Sequence, residues 1–445
     1  MVSLKTCFLI FASNAIVILY FSCDYSKSIS KNSDIFGIGN SIDADFPIIF
    51  YNEAYLDYRY KTPRLRVFAM NPCFPDEYFL SAEIFYQQIR LYGTPTEGEC
   101  PWHWAKNCYY NSFIFSSREV KIYLGFRSIL LNIKIVPKQK ISGLTICVQP
   151  VYWYSQPQNV LLFFEAWIAQ GATRFIAYFH SSTPDVDKIL LHYQRKGILK
   201  IKPWPKFGKY SKFSSSIYPE FDSSIYRVGH TLAQNLCIMD IETSLASIVD
   251  FDEVITSKDS RIKDYSQITM SKNKKIGAIS FPHLLVKLVP KIDNFNYSGL
   301  LNPIFLDREG PPKLIFKTSE IDIISTHNVR SFIKNSSTVE QGAGVLLHFR
   351  HNSYTEYHSK QVTKSFKFFT GDQLAHISKL QKQVSTIFGP VTPSFDPSIL
   401  HKLNKCINRL VSENKCRSTV AYCHQDLNTA ALWVFEKSAK KIFVT

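Results

Sequence analysis

Residues 144–180, LTICVQPVYWYSQPQNVLLFFEAWIAQGATRFIAYFH, decide the fold, because their apolar pattern changes twice. The run LTICVQPV (144–151) predicts a buried strand. The run QNVLLFFEAWIAQG (158–171) places apolar residues at helical spacing and ends on a glycine, which predicts a helix. The run RFIAYFH (174–180) predicts a second strand. A strand, a helix and a strand in this order predict two parallel neighbouring strands.

The same unit recurs further along the chain. A helix is predicted over DVDKILLHYQRKG (185–197) and a strand over ILKIKPW (198–204). A longer helix is predicted from about 226 to 243, followed by the strand of SLASIVDFDEVI (244–255). Such alternation predicts a sheet with helices on both faces, and ligands bind such sheets at the carboxyl ends of the strands.

The last of these strands runs into an acidic tip. Alternation along the chain puts Asp250 and Asp252 on one side and Phe251 on the other. Two adjacent carboxylates repel each other unless a cation joins them, and their oxygens suit Mg²⁺ or Mn²⁺ with positions left open for a diphosphate. The alternative is an acidic turn that caps a helix or is simply solvated.

Other regions flank this α/β domain, which is predicted over 144–356. Residues 24–45 are polar and predict a stem. Residues 46–143 predict a β-rich module, because turn residues separate short β-prone runs at 47–55, 64–70, 109–115, 120–126 and 130–136. Residues 357–445 predict an extension with a helix, DQLAHISKLQKQVSTIF (372–388), and a cysteine cluster, for which the sequence suggests no chemical role.

Composition narrows the functional class. A hydrophobic fraction of 45% with 20% charged residues excludes a disordered chain, a coiled coil and a collagen. The net charge of +16 favours anionic partners such as phosphates or membranes. A nucleic-acid partner is disfavoured, because the chain has no basic-aromatic repeat and its N-terminus predicts the secretory pathway.

The N-terminus predicts a membrane anchor. Residues 1–6 contain Lys5 and predict a short cytosolic tail, and residues 7–23 carry no charge over about 26 Å of helix. This length fits a signal-anchor helix, and a cleaved signal peptide is the alternative. A buried N-terminal helix is less favoured, because the segment is apolar on all sides.

Eight cysteines lie beyond the anchor, and an even number in an oxidising compartment predicts disulfides. Their pairing stays open, although 73, 100 and 108 form one local cluster and 406, 416 and 423 another. The sequons at Asn296 and Asn335 agree with luminal exposure and predict glycosylation.

An ordered set of motifs resembles glycosyltransferase family 92. The set is CVQPVYWYSQPQNVLLFFEAWIAQGATRFIAYFHSS, ILLHYQRKGILKIKPWP, HTLAQNLCIMD, IVDFDEVI and GVLLHFR, running from about 147 to 350. The resemblance implies a GT-A-like, Rossmann-like α/β domain with a mostly parallel sheet. It also implies metal-dependent inverting transfer of galactose from UDP-galactose with Mn²⁺ or Mg²⁺, and a single-pass type II protein of the Golgi membrane. In animal members the glycan acceptor is typically fucose on the N-glycan core.

Site residues follow where the motifs match. Asp250 and Asp252 match the metal and diphosphate carboxylates, and Glu253 matches the next acidic residue. His348 matches a late histidine and is the expected third metal ligand, with His327 as the alternative and a structural role equally open for each. The remaining expected donor-binding residues lie at strand ends or beside that histidine: Pro150, Tyr152, His180 and Arg350.

The catalytic base that an inverting transfer needs cannot be chosen from the sequence. The candidates are the acidic residues between the acidic tip and His348, namely Asp293, Asp307, Glu309, Glu320 and Asp322.

Two departures from the family pattern keep a second function open. Leu236 stands where an aspartate is common, and a proline usual after the acidic tip is missing at 256–258. A diverged, inactive member that binds glycans is therefore the alternative to an enzyme, and a secreted structural protein is a third hypothesis. The sequence leaves the oligomeric state open.

Overall fold

The computed structural model describes most of the chain. The described residues are 16–20, 48–73, 79–84, 87–105, 107–117, 128–138, 140–204, 219–289, 291–307, 310–335, 337–349, 360–362, 366–394, 396–413, 416–436 and 441–444.

The described strands are numbered in chain order. They are β1 (Ile16–Tyr20), β2 (Ile48–Asp57), β3 (Arg64–Pro72), β4 (Phe79–Ile84), β5 (Gln87–Pro95), β6 (Tyr110–Ser117), β7 (Ser128–Val136), β8 (Ile141–Val151), β9 (Arg174–Phe179), β10 (Ser181–Ser182), β11 (Leu199–Pro203), β12 (Thr243–Val249), β13 (Glu253–Ser257), β14 (Ile276–Phe281), β15 (His283–Lys287), β16 (Ile304–Asp307), β17 (Lys313–Lys317), β18 (Ile321–Ile324), β19 (Val329–Phe332), β20 (Thr338–Gln341), β21 (Gly344–His348), β22 (Lys360–Val362), β23 (Val434–Phe435) and β24 (Lys441–Val444).

The α-helices are numbered in the same way. They are α1 (Pro157–Ala169), α2 (Pro184–Arg195), α3 (His230–Asp240), α4 (Ile262–Lys272), α5 (Gln373–Phe388), α6 (Pro397–Ser412), α7 (Thr419–Tyr422) and α8 (His424–Leu427).

The central sheet has seven strands in the order β11-β9-β8-β12-β17-β14-β20. β11, β9, β8 and β12 run parallel, and β17 is antiparallel to both of its neighbours. The predicted mostly parallel α/β sheet is confirmed. The antiparallel β17 has a consequence for the site, because it places Lys313 at the same edge of the sheet as the end of β12.

Helices cover both faces of this sheet, and the alternation of side chains explains why. Ile146 and Val148 of β8 face a cluster that contains α1 and α2, whereas Cys147 between them faces a cluster that contains α3. Each central strand is therefore apolar on both sides, as is typical of a parallel sheet. α3 begins at His230, later than the sequence predicts.

The N-terminal strands form a closed sheet. Its order is β2-β3-β6-β5-β4-β1-β7, and a parallel pairing of β7 with β2 completes the ring, while β24 adds to the outer edge of β2. The sequence predicts strands near β2, β3, β6 and β7 but not β4 or β5. The predicted strand at 120–126 lies outside the described residues.

Residues 16–20 of the predicted anchor helix form β1, which pairs with β4 and β7. The sequence IVILY is rich in β-branched residues, which favour a strand once neighbouring strands are available. Within the residues that the structure describes, no helix is long and apolar enough to cross a membrane.

A second sheet carries part of the site. Its order is β13-β21-β15-β16-β22, and the pairing of β13 with β21 sets Glu253 opposite His348. β15 runs parallel to β21 on its other side, with His283 as its first residue. Three segments that are distant in sequence therefore meet directly after the acidic tip.

All eight cysteines beyond the predicted anchor form disulfides, as the sequence predicts. The pairs are Cys73–Cys100, Cys108–Cys416, Cys147–Cys237 and Cys406–Cys423. Cys108–Cys416 joins the two local clusters and ties the C-terminal extension to the N-terminal module.

Replacing Cys108 and Cys416 together by serine is expected to lower the free energy of unfolding by about 2 to 5 kcal/mol. The bond joins residues 308 positions apart, so it restricts the unfolded chain strongly. Denaturant unfolding measures the loss. The matched control is the double serine variant of Cys406 and Cys423, which are 17 positions apart and should lose about 2 kcal/mol less. Equal losses would show that loop closure is not the source.

Candidate active site

The acidic tip is a tight turn at the carboxyl end of β12. The Glu253 N–H donates to the Asp250 carbonyl at 3.1 Å, and the Asp250 N–H donates to the Glu253 carboxylate at 2.9 Å. Phe251 is buried, with its ring centroid 5.2 Å from that of Tyr154 and 5.0 Å from that of Phe163. This apolar anchor fixes the turn, so that Asp250 and Asp252 remain partly exposed.

Asp252 contacts His348, which in turn contacts His283. His348 Nε2 lies 3.2 Å from Asp252 Oδ2, and His348 Nδ1 lies 2.9 Å from His283 Nε2. Burial lowers the pKa of His348, but the Asp252 carboxylate outweighs this effect and holds the pKa above its ordinary value. The three side chains thus form one hydrogen-bonded line that ends at an accessible carboxylate.

Lys313 supplies the positive charge behind the turn. Its Nζ lies 3.2 Å from Glu253 Oε2 and 3.7 Å from Asp250 Oδ2, with only 1% of the lysine side chain exposed. Burial lowers the pKa of Lys313, yet Glu253 and Asp250 raise it overall. Burial also raises the pKa of Glu253 against the opposing effect of Lys313. The Glu253 carboxylate, of which only 5% is exposed, therefore stabilises the turn from its buried side.

The predicted metal ligands are only partly assembled. Asp252 and His348 are in contact, but Asp250 turns towards Lys313 and is 47% exposed. Among the described residues, no three His, Cys, Asp or Glu side chains are grouped closely enough to hold a metal ion. One or two protein ligands suffice when substrate phosphates and water complete the coordination of Mg²⁺. The oxygen and nitrogen atoms of Asp252 and His348 fit such a shared site.

The expected donor-binding residues differ in their accessibility. Pro150 lies within β8, and Tyr152 follows that strand half-buried, where burial and the nearby Asp250 raise its pKa. His180 is buried against Trp153 and Phe435. Tyr152 is therefore placed beside the acidic turn, whereas His180 packs in the interior. Arg350 lies outside the described residues.

His327, the alternative ligand, contacts a backbone carbonyl and not an aspartate. Its Nδ1 lies 3.0 Å from the Pro312 carbonyl oxygen, and burial and the nearby Lys313 lower its pKa to about 4. Of the two histidines, His348 is the one in direct contact with the acidic turn.

Two of the candidate bases are held in ion pairs. Asp322 lies 2.8 Å from Arg66, and Glu320 lies 3.6 Å from both Lys317 and Lys334. These pairs connect structural elements to each other. Asp293 begins a short 3₁₀ turn and Asp307 ends β16, while Glu309 lies outside the described residues.

Leu236, which stands where an aspartate is expected, is packed in an apolar environment. Leu236 is fully buried in the apolar cluster around α3, and its neighbour Cys237 is bonded to Cys147. Asn235 bridges α3 to β18, accepting from the Ile324 N–H at 3.0 Å and donating to the Ile324 carbonyl at 2.8 Å. An apolar side chain at 236 therefore fits its surroundings.

Residues that the sequence analysis missed complete the surroundings of the turn. They are His283, Lys313, Tyr154 and Arg227, of which Lys313 pairs with two of the acidic residues. Each comes from a segment that the acidic-tip motif does not include. Only the long-range pairing of strands and loops brings them together.

The mostly parallel α/β sheet with an acidic turn at the carboxyl end of a central strand agrees with the GT-A-like fold predicted from the sequence. The chain belongs to glycosyltransferase family 92: the model of that family matches residues 142–387, more than half of the chain. No curated protein matches the chain significantly.

Solved structures show only remote likeness. TarS 1-349 of S. aureus is 12% identical with a TM-score of 0.22, covering 40% of this chain and 47% of that one, so that the chain spans about half of its length. Glucosyl-3-phosphoglycerate synthase of Mycobacterium tuberculosis, in complex with Mn²⁺, UDP and glucosyl-3-phosphoglycerate, is 9% identical with a TM-score of 0.27 and covers 56% and 80%. Neither TM-score is high enough to indicate a shared fold over the whole chain.

Proposed function

We propose that the protein transfers galactose from UDP-galactose to a glycan acceptor, such as core fucose of N-glycans, in a metal-dependent inverting reaction. The observation that carries this proposal is the contact of Asp252 with His348 beside Asp250, at the carboxyl end of β12. Family membership supports the transferase class, and the galactose donor is the family's expected donor.

The residues of the turn have distinct parts in this reaction. Asp252 and His348 would hold a divalent cation, Mn²⁺ or Mg²⁺, whose positive charge would stabilise the departing UDP. His283 orients the His348 ring through its second nitrogen, as partners of metal-bound histidines generally do. An acceptor hydroxyl attacks the anomeric carbon as the bond to UDP breaks, and a base takes the hydroxyl proton.

The proposed location is the Golgi membrane, with type II topology and a luminal catalytic domain; secretion after signal cleavage is the alternative. Four disulfides support an oxidising compartment, and the predicted glycosylation sites Asn296 and Asn335 are exposed. Carbonate extraction of membranes from expressing cells tests the anchor, since a cleaved protein would be released.

A glycan-binding protein without turnover is the second candidate. The departure at Leu236 favours it, because the carboxylate common in the family is replaced by a buried apolar side chain. Such a protein would still bind glycans but would consume no donor.

A donor panel distinguishes these functions. The protein is incubated with Mn²⁺, a fucosylated N-glycan and one of UDP-galactose, UDP-glucose, UDP-N-acetylglucosamine or GDP-mannose, and product is followed by mass spectrometry. The proposal predicts transfer or slow hydrolysis with UDP-galactose in preference to the others. Glycan binding without consumption of any donor would support the second candidate. Preference for another donor would contradict the galactose assignment.

A further inference from the structure

Arg227 has an unusual backbone conformation next to the candidate active site. Its φ angle is 53°, in the left-handed region that residues other than glycine seldom adopt. It lies in the loop that enters α3, two residues before Gly229. Conformations of this kind persist only where the surroundings impose them, and they are concentrated at functional sites.

The C-terminal extension imposes this conformation. The Thr419 N–H donates to the Arg227 carbonyl at 2.8 Å, and the Ser418 N–H donates to the Asp222 carbonyl at 2.7 Å. The segment 416–423 that provides these donors is fixed at both ends, by Cys108–Cys416 and Cys406–Cys423. Two disulfides thus hold the Arg227 loop in place.

The same segment, residues 416–423, also contacts the residues that directly follow β8. Trp153 also has a left-handed backbone, with φ at 48°, and its indole donates to the Val420 carbonyl at 3.2 Å. Thr419 is hydrogen-bonded to the side chain of Tyr152. The extension therefore supports Tyr152 and Arg227 together, although it lies beyond the residues that match the family.

Thr419 bonds to both the Arg227 carbonyl and the Tyr152 side chain, which places Arg227 on the side of the acidic turn where Tyr152 lies. Burial lowers the pKa of Arg227, but Tyr226, Tyr152 and the Asp250 carboxylate outweigh this and raise it. The guanidinium lies 5.4 Å from the centre of the Tyr226 ring and is hydrogen-bonded to the Tyr226 side chain, while part of the residue remains accessible to solvent. Among the described residues, no carboxylate lies within ion-pair distance of Arg227. Its charge is thus not neutralised by a carboxylate and can attract an anion beside the acidic turn.

We propose that Arg227 binds the diphosphate of the nucleotide donor, and that the disulfide-bonded C-terminal segment serves to present it. This inference rests on the proposed function. A planar guanidinium donates two parallel hydrogen bonds to phosphate oxygens, which makes arginine well suited to this role. The guanidinium would lie on the side of Asp250 where Tyr152 follows β8.

The left-handed backbone allows a test that separates binding from folding. Glycine adopts this φ without strain, so Arg227→Gly removes the guanidinium while relieving the backbone, and the variant should melt at or above the wild-type temperature. In the presence of Mn²⁺, its affinity for UDP should fall about 10- to 100-fold, as expected for the loss of charged hydrogen bonds. Affinity for uridine, followed by ligand-observed NMR, should be unchanged.

The matched control is Arg174→Gln, which removes an exposed arginine at the opposite end of β9 and should leave UDP affinity unchanged. Wild-type affinity for UDP in Arg227→Gly would overturn the inference while leaving the proposed function intact. An equal loss of uridine affinity would also overturn it, because Arg227 would then shape the cleft without contacting phosphate. Absence of UDP binding by the wild type would overturn both proposals.

Discussion

The Asp252→Asn variant is expected to lose galactose transfer by about 100-fold or more while remaining folded. Asparagine keeps the shape of the side chain but removes the charge that attracts a divalent cation. Asp252 is 29% exposed, so solvent screens its contact with His348. The free energy of unfolding should therefore change by less than about 1 kcal/mol. Initial rates of transfer and denaturant unfolding in metal-free buffer measure the two effects.

The unfolding of Asp252→Asn and of the wild type is compared in an alkaline buffer, because the ion pair of Asp252 with His348 depends on pH. Asp252 raises the pKa of His348, so the protonated pair stabilises the folded state at acidic pH. That contribution disappears as the pH rises through the pKa of folded His348. Above this pH, the difference in the free energy of unfolding between wild type and variant no longer includes the ion pair.

Asp264→Asn is the matched control for this variant. Asp264 is 33% exposed and pairs with Arg261 at 2.7 Å on α4, outside the acidic turn. Transfer by this control should equal that of the wild type. Full transfer by Asp252→Asn would show that the acidic turn does not hold the metal.

Lys313→Met is expected to destabilise the protein by about 3 to 5 kcal/mol. Methionine leaves the Glu253 carboxylate, only 5% exposed, without the cation 3.2 Å away from it. A buried charge that loses its partner is costly even where the intact pair contributes little net stability. The free energy of unfolding from denaturant titration measures the effect.

The double variant Lys313→Met/Glu253→Gln distinguishes charge from packing. Removing both charges should recover most of the loss, since no unpaired charge then remains buried. A double variant as unstable as Lys313→Met would show that the packing of the lysine stem, and not its charge, stabilises the turn. A single variant as stable as the wild type would contradict the ion-pair account entirely.

Local patterns in the sequence were sufficient for the four parallel strands of the central sheet, β8, β9, β11 and β12. The helical spacing in 158–171 and the buried runs on either side of it predict α1, β8 and β9, because each pattern is decided within one segment. The acidic turn was predicted in the same way, from two aspartates directly after an apolar strand. Alternation also placed Phe251 away from them, where it is buried.

Contacts between distant segments were beyond the reach of such patterns. Lys313 meets Glu253 only because β17 runs antiparallel to β12, a pairing that no local feature encodes. His283 meets His348 through the pairing of β15 with β21. The disulfide Cys108–Cys416 joins the two local cysteine clusters, a pairing that their spacing in the sequence does not determine.

The N-terminal segment shows how context overrides an apolar run. The residues IVILY suit a membrane helix by hydropathy and a strand by β-branching. In the structure they pair with two strands of the closed sheet. Neither strand can be inferred from the segment itself.

Calorimetric titration of UDP into the wild-type protein, with Mn²⁺ and again with a chelator, tests the central claim most directly. The claim is that the turn holding Asp250 and Asp252, with His348 beside it, forms a metal-dependent site for a nucleoside diphosphate. The account predicts saturable binding of UDP with Mn²⁺ and a large loss of affinity when the metal is removed. Equal affinity in both conditions, or no binding in either, would contradict it.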